Sequence, residues 1–297
     1  MPKGTTITNS GSRSAFAGKL RDYFILVKFR LSFIVVFSAG IGYLFADGAH
    51  GPFWMFLLGG FLITAASNTI NQIIESDTDK LMARTANRPL AAGRMQNTEA
   101  IIAAGIMAFS GIAILWFFFN ALSALLGAMS LISYAFIYTP MKKVSPLAVF
   151  IGAFPGAMPP LIGCAAAEGT ILDSALLLFA VQFMWQFPHF WSIAWVSYDD
   201  YAKAGFHLLP THSGKSRSSA AHIVMYTLLT IPVSLLLYAL GYTGMVSAII
   251  VAVAGILFLY QSFRLYMSCD VKHARSLMFG SFLYLPVVLI ALLMDRI

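Results

Sequence analysis

The feature that most constrains this chain is a succession of nine apolar stretches, each near the roughly 20 residues a helix needs to cross a bilayer. They fall at residues 24–46, 53–75, 98–117, 119–138, 147–166, 172–195, 221–240, 244–266 and 276–294. Residues 98–138 are too many for one span, and Asn120 marks the cut. With 59% hydrophobic and 10% charged residues over 297 positions, the chain is too apolar for a soluble domain. The expected architecture is an all-α polytopic membrane bundle of nine transmembrane helices. Residues 23–297 form a single domain behind a polar cytoplasmic tail, residues 1–22, expected to be disordered through Lys19.

The net charge of +7 is a matter of orientation, not of nucleic-acid binding. Eighteen of the 19 basic residues precede or open the first span, or lie in or at the edge of the loops after the second, fourth, sixth and eighth; only Arg296 lies beyond the last. The opposite loops, 47–51, 167–170 and 241–244, hold none. The positive-inside rule then predicts a cytoplasmic N-terminus and an outside C-terminus, with an odd number of spans between. Cys164 and Cys269 match no metal-binding spacing and read as packing residues.

Polar chemistry concentrates at the end of the second span. If that helix runs on, Asn71, Glu75 and Asp79 recur every four residues, drift only about 40° per step and form one stripe. Carboxylates about 6 Å apart along a helix repel unless a cation lies between them. One amide and two acids are hard oxygen donors suited to Mg²⁺, which takes its remaining ligands from water and substrate phosphates. Arg84, Arg88 and Arg94 follow, and guanidinium forks match phosphate oxygens. A diphosphate is therefore the expected partner, at a site open to the cytoplasm. The competing reading is a solvated helix end with topology-setting arginines.

The sixth span repeats the pattern, with Asp199, Asp200, Tyr201 and Lys203 after an aromatic run containing Trp185, Trp191 and Trp195. The two acids are candidates for a second Mg²⁺ or for completing the first, and Lys203 for a phosphate contact. His189, next to the helix-bending Pro188, is an ionisable group at membrane depth and so a candidate site residue. The aromatics either line a prenyl channel, shielding a carbocation, or form an interfacial belt. Tyr138, Lys142 and Lys143 lie between the two loops, the lysines either diphosphate contacts or topology anchors.

The Asn71, Glu75, Asp79 stripe, in nine spans with a second acidic loop, resembles the UbiA superfamily of intramembrane prenyltransferases. Within it, the branch that farnesylates haem is resembled by several segments in order: Asp77 to Leu90, Tyr138-Thr139, Gly156 to Gly163, Trp185 to His189, and Asp200-Tyr201 through Leu209-Pro210. The resemblance covers residues 20 to 295. It implies transfer of farnesyl from farnesyl diphosphate to a vinyl group of haem B (protohaem IX), assisted by Mg²⁺, with haem O as product for terminal oxidases. It also implies a bacterial inner membrane and, as partners, haem A synthase or terminal oxidase assembly. In that reading Asn71, Glu75, Asp79, Arg84, Arg88, Asp200 and Lys203 are catalytic. Asn71, Glu75, Asp79, Asp199 and Asp200 hold metal; Tyr138, Lys142, Lys143, Trp185, His189, Asp199 and Tyr201 bind substrate. Glu75 departs from the pattern, standing where aspartate is usual and adding one methylene. Another aromatic acceptor and a non-catalytic haem-handling protein are the alternatives; the absence of an evident internal repeat weighs against a transporter.

Overall fold

A computed structural model of the chain describes residues 10–48 and 51–297, and it is all helical apart from one isolated bridge between Thr243 and Arg296. In order the helices are α1 (Ser10–Leu26), α2 (Phe29–Phe45), α3 (Phe53–Ile74), α4 (Ser76–Asp79), α5 (Asn97–Phe118) and α6 (Ala121–Ile132). A π-helical turn (Ser133–Tyr138) leads into α7 (Thr139–Met141), followed by α8 (Ala148–Glu168), α9 (Asp173–Val196) and α10 (Tyr198–Lys203). The chain ends with α11 (Arg217–Ala239), α12 (Met245–Ser268) and α13 (Val271–Met294). Seven spans among the described residues are long and apolar enough to cross a membrane, and the α1/α2 pair, bent by 48°, makes an eighth. The 24-residue α9 has the length of a ninth, its hydropathy lowered by Gln182, Gln186 and His189.

Local chemistry explains the joints. Asn120 separates α5 from α6 by capping: its Oδ1 accepts from Ser123 N at 2.8 Å while its Nδ2 donates to the Ala165 carbonyl of α8 at 2.8 Å. Asp270 caps α13 the same way through His273 N at 2.7 Å.

The first span departs from expectation. Residues 24–46 are not one straight helix, because Lys28 adopts a left-handed backbone (φ 46°) and breaks it. Gln72 of α3 stabilises the break by donating to the terminal α1 carbonyls of Ile25 (3.2 Å) and Leu26 (2.6 Å). The tail expectation is also corrected. The chain is already helical from Ser10, with residues 1–9 outside the described part. Lys19 Nζ and Tyr23 Oη both bond the Glu99 carboxylate at 2.7 Å, and Arg94 forks onto Asp22, so α1 is tied to α5 and to the loop before it.

Three prolines inside α8 shape the centre of the bundle. Pro159 and Pro160 lack the N–H groups that would bond the carbonyls of Pro155 and Gly156. Ser130 of α6 donates to the first at 3.2 Å and Gln182 of α9 to the second at 2.7 Å. The freed carbonyls thus become inter-helix bonds inside the bilayer, where each unmade bond is costly. Gln182 also accepts from Ser38, linking α2 to α8 and α9.

α2 and α8 approach so closely that a Cβ on Gly163 would strike the α2 backbone at Ala39 and Tyr43, whereas one on Gly105 would meet nothing within 4 Å. Gly163→Val should therefore destabilise by about 1–3 kcal/mol or more, read as a lower Tm in detergent. Gly105→Ala should not lower it.

Candidate active site

The acid stripe survives a change of helix. α3 ends at Ile74, and Glu75 takes a non-helical conformation before α4. The hydrogen-bond ladder nevertheless runs on, with Glu75 N to Asn71 O at 3.0 Å and Asp79 N to Glu75 O at 2.8 Å. Asn71, Glu75 and Asp79 stay on one side and are all buried. Asp77 points the other way, into solvent, paired with Lys80 at 2.7 Å.

Each member of the stripe meets its own cation. Lys28 Nζ donates to Asn71 Oδ1 at 2.9 Å, Lys142 Nζ to Glu75 Oε1 at 2.8 Å, and Arg88 to both oxygens of Asp79 at 2.8 and 2.7 Å. The backbone turn at Lys28 is what sends its side chain inward. Thr139, delivered by the π-helical turn, accepts from Asn71 Nδ2 at 3.2 Å. Burial pushes the Glu75 carboxyl up, but the charge and hydrogen bond of Lys142, reinforced by Lys28, outweigh it and hold the pKa below its ordinary value. For Lys142, burial pushes down and Glu75 more than restores, leaving the ammonium above its ordinary range.

The segment between α4 and α5 is folded around Asp79. Thr85 Oγ1 donates to the Asp79 carbonyl at 2.9 Å, closing the turn that lets Arg88 reach back nine residues. Arg94 is committed elsewhere, to Asp22 and Asn87. Arg84 is exposed and reaches across to the second loop, donating to Tyr201 Oη at 3.3 Å.

That second loop contributes an aromatic to the first cluster, opposite Tyr138 of the π-helical turn. Phe206 and Tyr138 both face Lys142 Nζ, with ring centres at 5.9 and 4.7 Å. Its acids pair locally: Asp199 with Lys215 at 3.4 Å and Asp200 with Lys203 at 3.5 Å. Lys143 is exposed. Trp185 and His189 lie deeper, stacked on each other at 4.4 Å on α9. Lys28, Thr139 and Phe206 were not singled out from sequence as site residues. For Lys28 the signal existed, since a lysine inside an apolar run is a functional candidate by default.

Fold and site together define a multi-pass membrane protein with a largely buried cluster of paired acidic and basic side chains at one end of its bundle. The UbiA prenyltransferase family model matches residues 35–285. A Cytophaga hutchinsonii protein named protoheme IX farnesyltransferase is 49% identical over 285 residues, covering 95% of this chain and 99% of its own. A Flavobacterium johnsoniae protein of the same name is 44% identical, covering 93% and 94%. Among solved structures, one of digeranylgeranylglyceryl phosphate synthase aligns with a TM-score of 0.77 at 21% identity, over 94% of this chain and 98% of that one. A UbiA homologue from Archaeoglobus fulgidus, bound to GPP and Mg²⁺, aligns at 0.71 and 14% identity, over 91% and 99%. The chain belongs to the UbiA prenyltransferase family.

The Glu75–Lys142 pair predicts a reversal in pH dependence. With Glu75 depressed and Lys142 raised, the pair's contribution is present at neutral pH, fading only as pH falls through the lowered Glu75 pKa or rises through the raised Lys142 pKa. In Lys142→Met, burial dominates and the Glu75 pKa goes up. That variant should lose about 3–5 kcal/mol at neutral pH and gain Tm on mild acidification, where wild type does not.

Proposed function

We propose that this chain transfers farnesyl from farnesyl diphosphate to a vinyl group of protohaem IX, releasing diphosphate and forming haem O. The single observation that carries the diphosphate half is the set of three inward-facing basic side chains, buried Lys142 and half-buried Lys28 and Arg88, each held by one oxygen-bearing residue of the stripe. Support for the haem half comes from relatives of that name at 49% and 44% identity across nearly their whole length.

The stripe fits Mg²⁺ by its chemistry. Asn71, Glu75 and Asp79 are hard oxygen donors on successive turns, and with only two carboxylates they leave places for water and phosphate oxygens. Among the described residues no three His, Cys, Asp or Glu side chains form a metal cluster by themselves. Bound there, Mg²⁺ supplies charge stabilisation for the leaving diphosphate. Asp199 and Asp200 are proposed for a second ion or its waters.

The chain's own groups do the rest. Lys28, Lys142 and Arg88 turn from the stripe to the diphosphate oxygens, freeing Asn71, Glu75 and Asp79 for the metal. Arg84 and Lys203, at the exposed rim, neutralise further phosphate charge, with Lys143 a contact further out. These basic groups stabilise the negative charge that develops as the C1–O bond ionises. Tyr138, Tyr201 and Phe206 close over the ammonium of Lys142 and exclude water from it. The electron-rich vinyl group captures the allylic cation, water supplies the hydroxyl, and one proton leaves. Orientation follows the charge bias, placing this end at the cytoplasmic face of a bacterial inner membrane. Haem A synthase or terminal oxidase assembly is the proposed recipient of product.

Single-turnover assays in proteoliposomes with haem B and farnesyl diphosphate should yield haem O with Mg²⁺ and none with EDTA. Asp79→Ala should lower the rate on the order of a hundredfold or more while the protein remains folded in the membrane. Wild-type rate in that variant would remove Asp79 from the site. Farnesyl transfer to another aromatic acceptor, but not to haem B, would replace the acceptor.

A further inference from the structure

α9 carries an imidazole that the diphosphate chemistry does not use. His189 is 8% exposed and lies on one face of α9 between two residues that anchor that helix. At 100° per residue it points about 20° to one side of Gln182 and about 40° to the other side of Trp185. Gln182 bonds α2 and α8, while Trp185 Nε1 donates to the Ser281 carbonyl of α13 at 2.9 Å. His189 faces α13, where Ser281 and Phe282 meet its ring. It sits seven residues before the end of α9, about 10 Å below the charged cluster's end of the bundle.

Its hydrogen bonds favour one tautomer. Ser281 Oγ lies 2.6 Å from the Met278 carbonyl, an oxygen that can only accept, and 2.8 Å from His189 Nδ1. Both contacts are hydrogen bonds at once only when Ser281 donates to the carbonyl and Nδ1 carries the proton. That form leaves Nε2 with a lone pair and no protein partner among the described residues. The ring is held in place by the Trp185 indole stacked at 4.4 Å and by the edges of Phe190 at 5.4 Å and Phe282 at 5.0 Å. A neutral imidazole with one nitrogen tied by a hydrogen bond and the other free is the form in which histidine ligates metals.

We propose that His189 Nε2 is the axial ligand to the iron of the haem acceptor, with Ser281 the positioning residue that holds the imidazole in its Nδ1–H form. This rests on the reading of haem as acceptor. Ligation at this depth fixes the macrocycle beneath the diphosphate, and the Nε2 lone pair is the only electron pair donated; no bond is broken.

The test is titration of ferric haem B into the purified full-length protein in detergent, followed by absorption and EPR. Wild type should show an imidazole-ligated iron. His189→Ala should lose that signature, and added imidazole should restore it. Ser281→Ala should weaken binding about 10–100-fold, whereas Ser281→Thr, which keeps the hydroxyl, should bind like wild type. If His189→Ala does not fold, the Ser281 pair decides. An imidazole signature persisting in His189→Ala, equal affinity in Ser281→Ala and wild type, or a folded wild type that binds no haem would each overturn the proposal. Farnesyl transfer measured on the same preparations separates the two readings. Transfer by wild type without histidine ligation overturns the ligand and leaves the reaction; ligation through His189 without transfer supports the ligand and overturns the reaction.

Discussion

Everything at the charged end of this bundle follows from the cost of burying Glu75, Asp79 and Lys142. Lys142 meets Glu75 at 2.8 Å, half-buried Arg88 meets Asp79 at 2.7 Å, and half-buried Lys28 donates to the Asn71 amide oxygen at 2.9 Å. A buried pair of this kind adds little net stability compared with apolar packing, because desolvation offsets attraction. Its retention in so apolar a chain points to use. The same opposite charges that neutralise each other without substrate are the two halves of a receptor for a metal–diphosphate complex.

The rest of the fold delivers these groups from separate elements. α3 and α4 provide the stripe, the break at Lys28 aims an ammonium inward, and the π-helical turn brings Thr139 and leads to Lys142. Thr85 folds the connecting loop so that Arg88 returns to Asp79. The proline-freed carbonyls of α8 and the amides of α9 lock the two halves of the bundle beneath the site. Rigidity below and exposed, mobile-length side chains such as Arg84 and Lys203 above suit a site that must admit a charged head group.

How much of this the sequence displayed depended on how local the signal was. The spans were legible because hydropathy is summed over twenty neighbouring residues, and the stripe because i, i+4 spacing places side chains together without reference to anything distant. Asn120 was legible as a break for the same reason. Lys28 was read as one more positive-inside charge, since its inward turn is stabilised by Gln72, 44 positions later in the chain. Gln182 and Gln186 gave no sign that they answer carbonyls on α8, because that depends on which helices pack. From the second acidic loop, Tyr201 and Phe206 reach Arg84 and Lys142, while Asp199 and Asp200, candidates for a second ion or for completing the first, pair with nearby lysines.

The proposed reaction requires acids and cations of one cluster to exchange partners when substrate arrives. It requires metal and diphosphate to bind as coupled ligands, each favouring the other by the same factor. Mn²⁺ binding followed by EPR, with and without an unreactive farnesyl thiodiphosphate and corrected for their complex in free solution, measures that coupling. Mn²⁺ should bind weakly alone and tenfold or more tighter, about 1.4 kcal/mol, with the analogue, and the coupling should be lost in Glu75→Gln. Equal Mn²⁺ affinity with and without the analogue would contradict it.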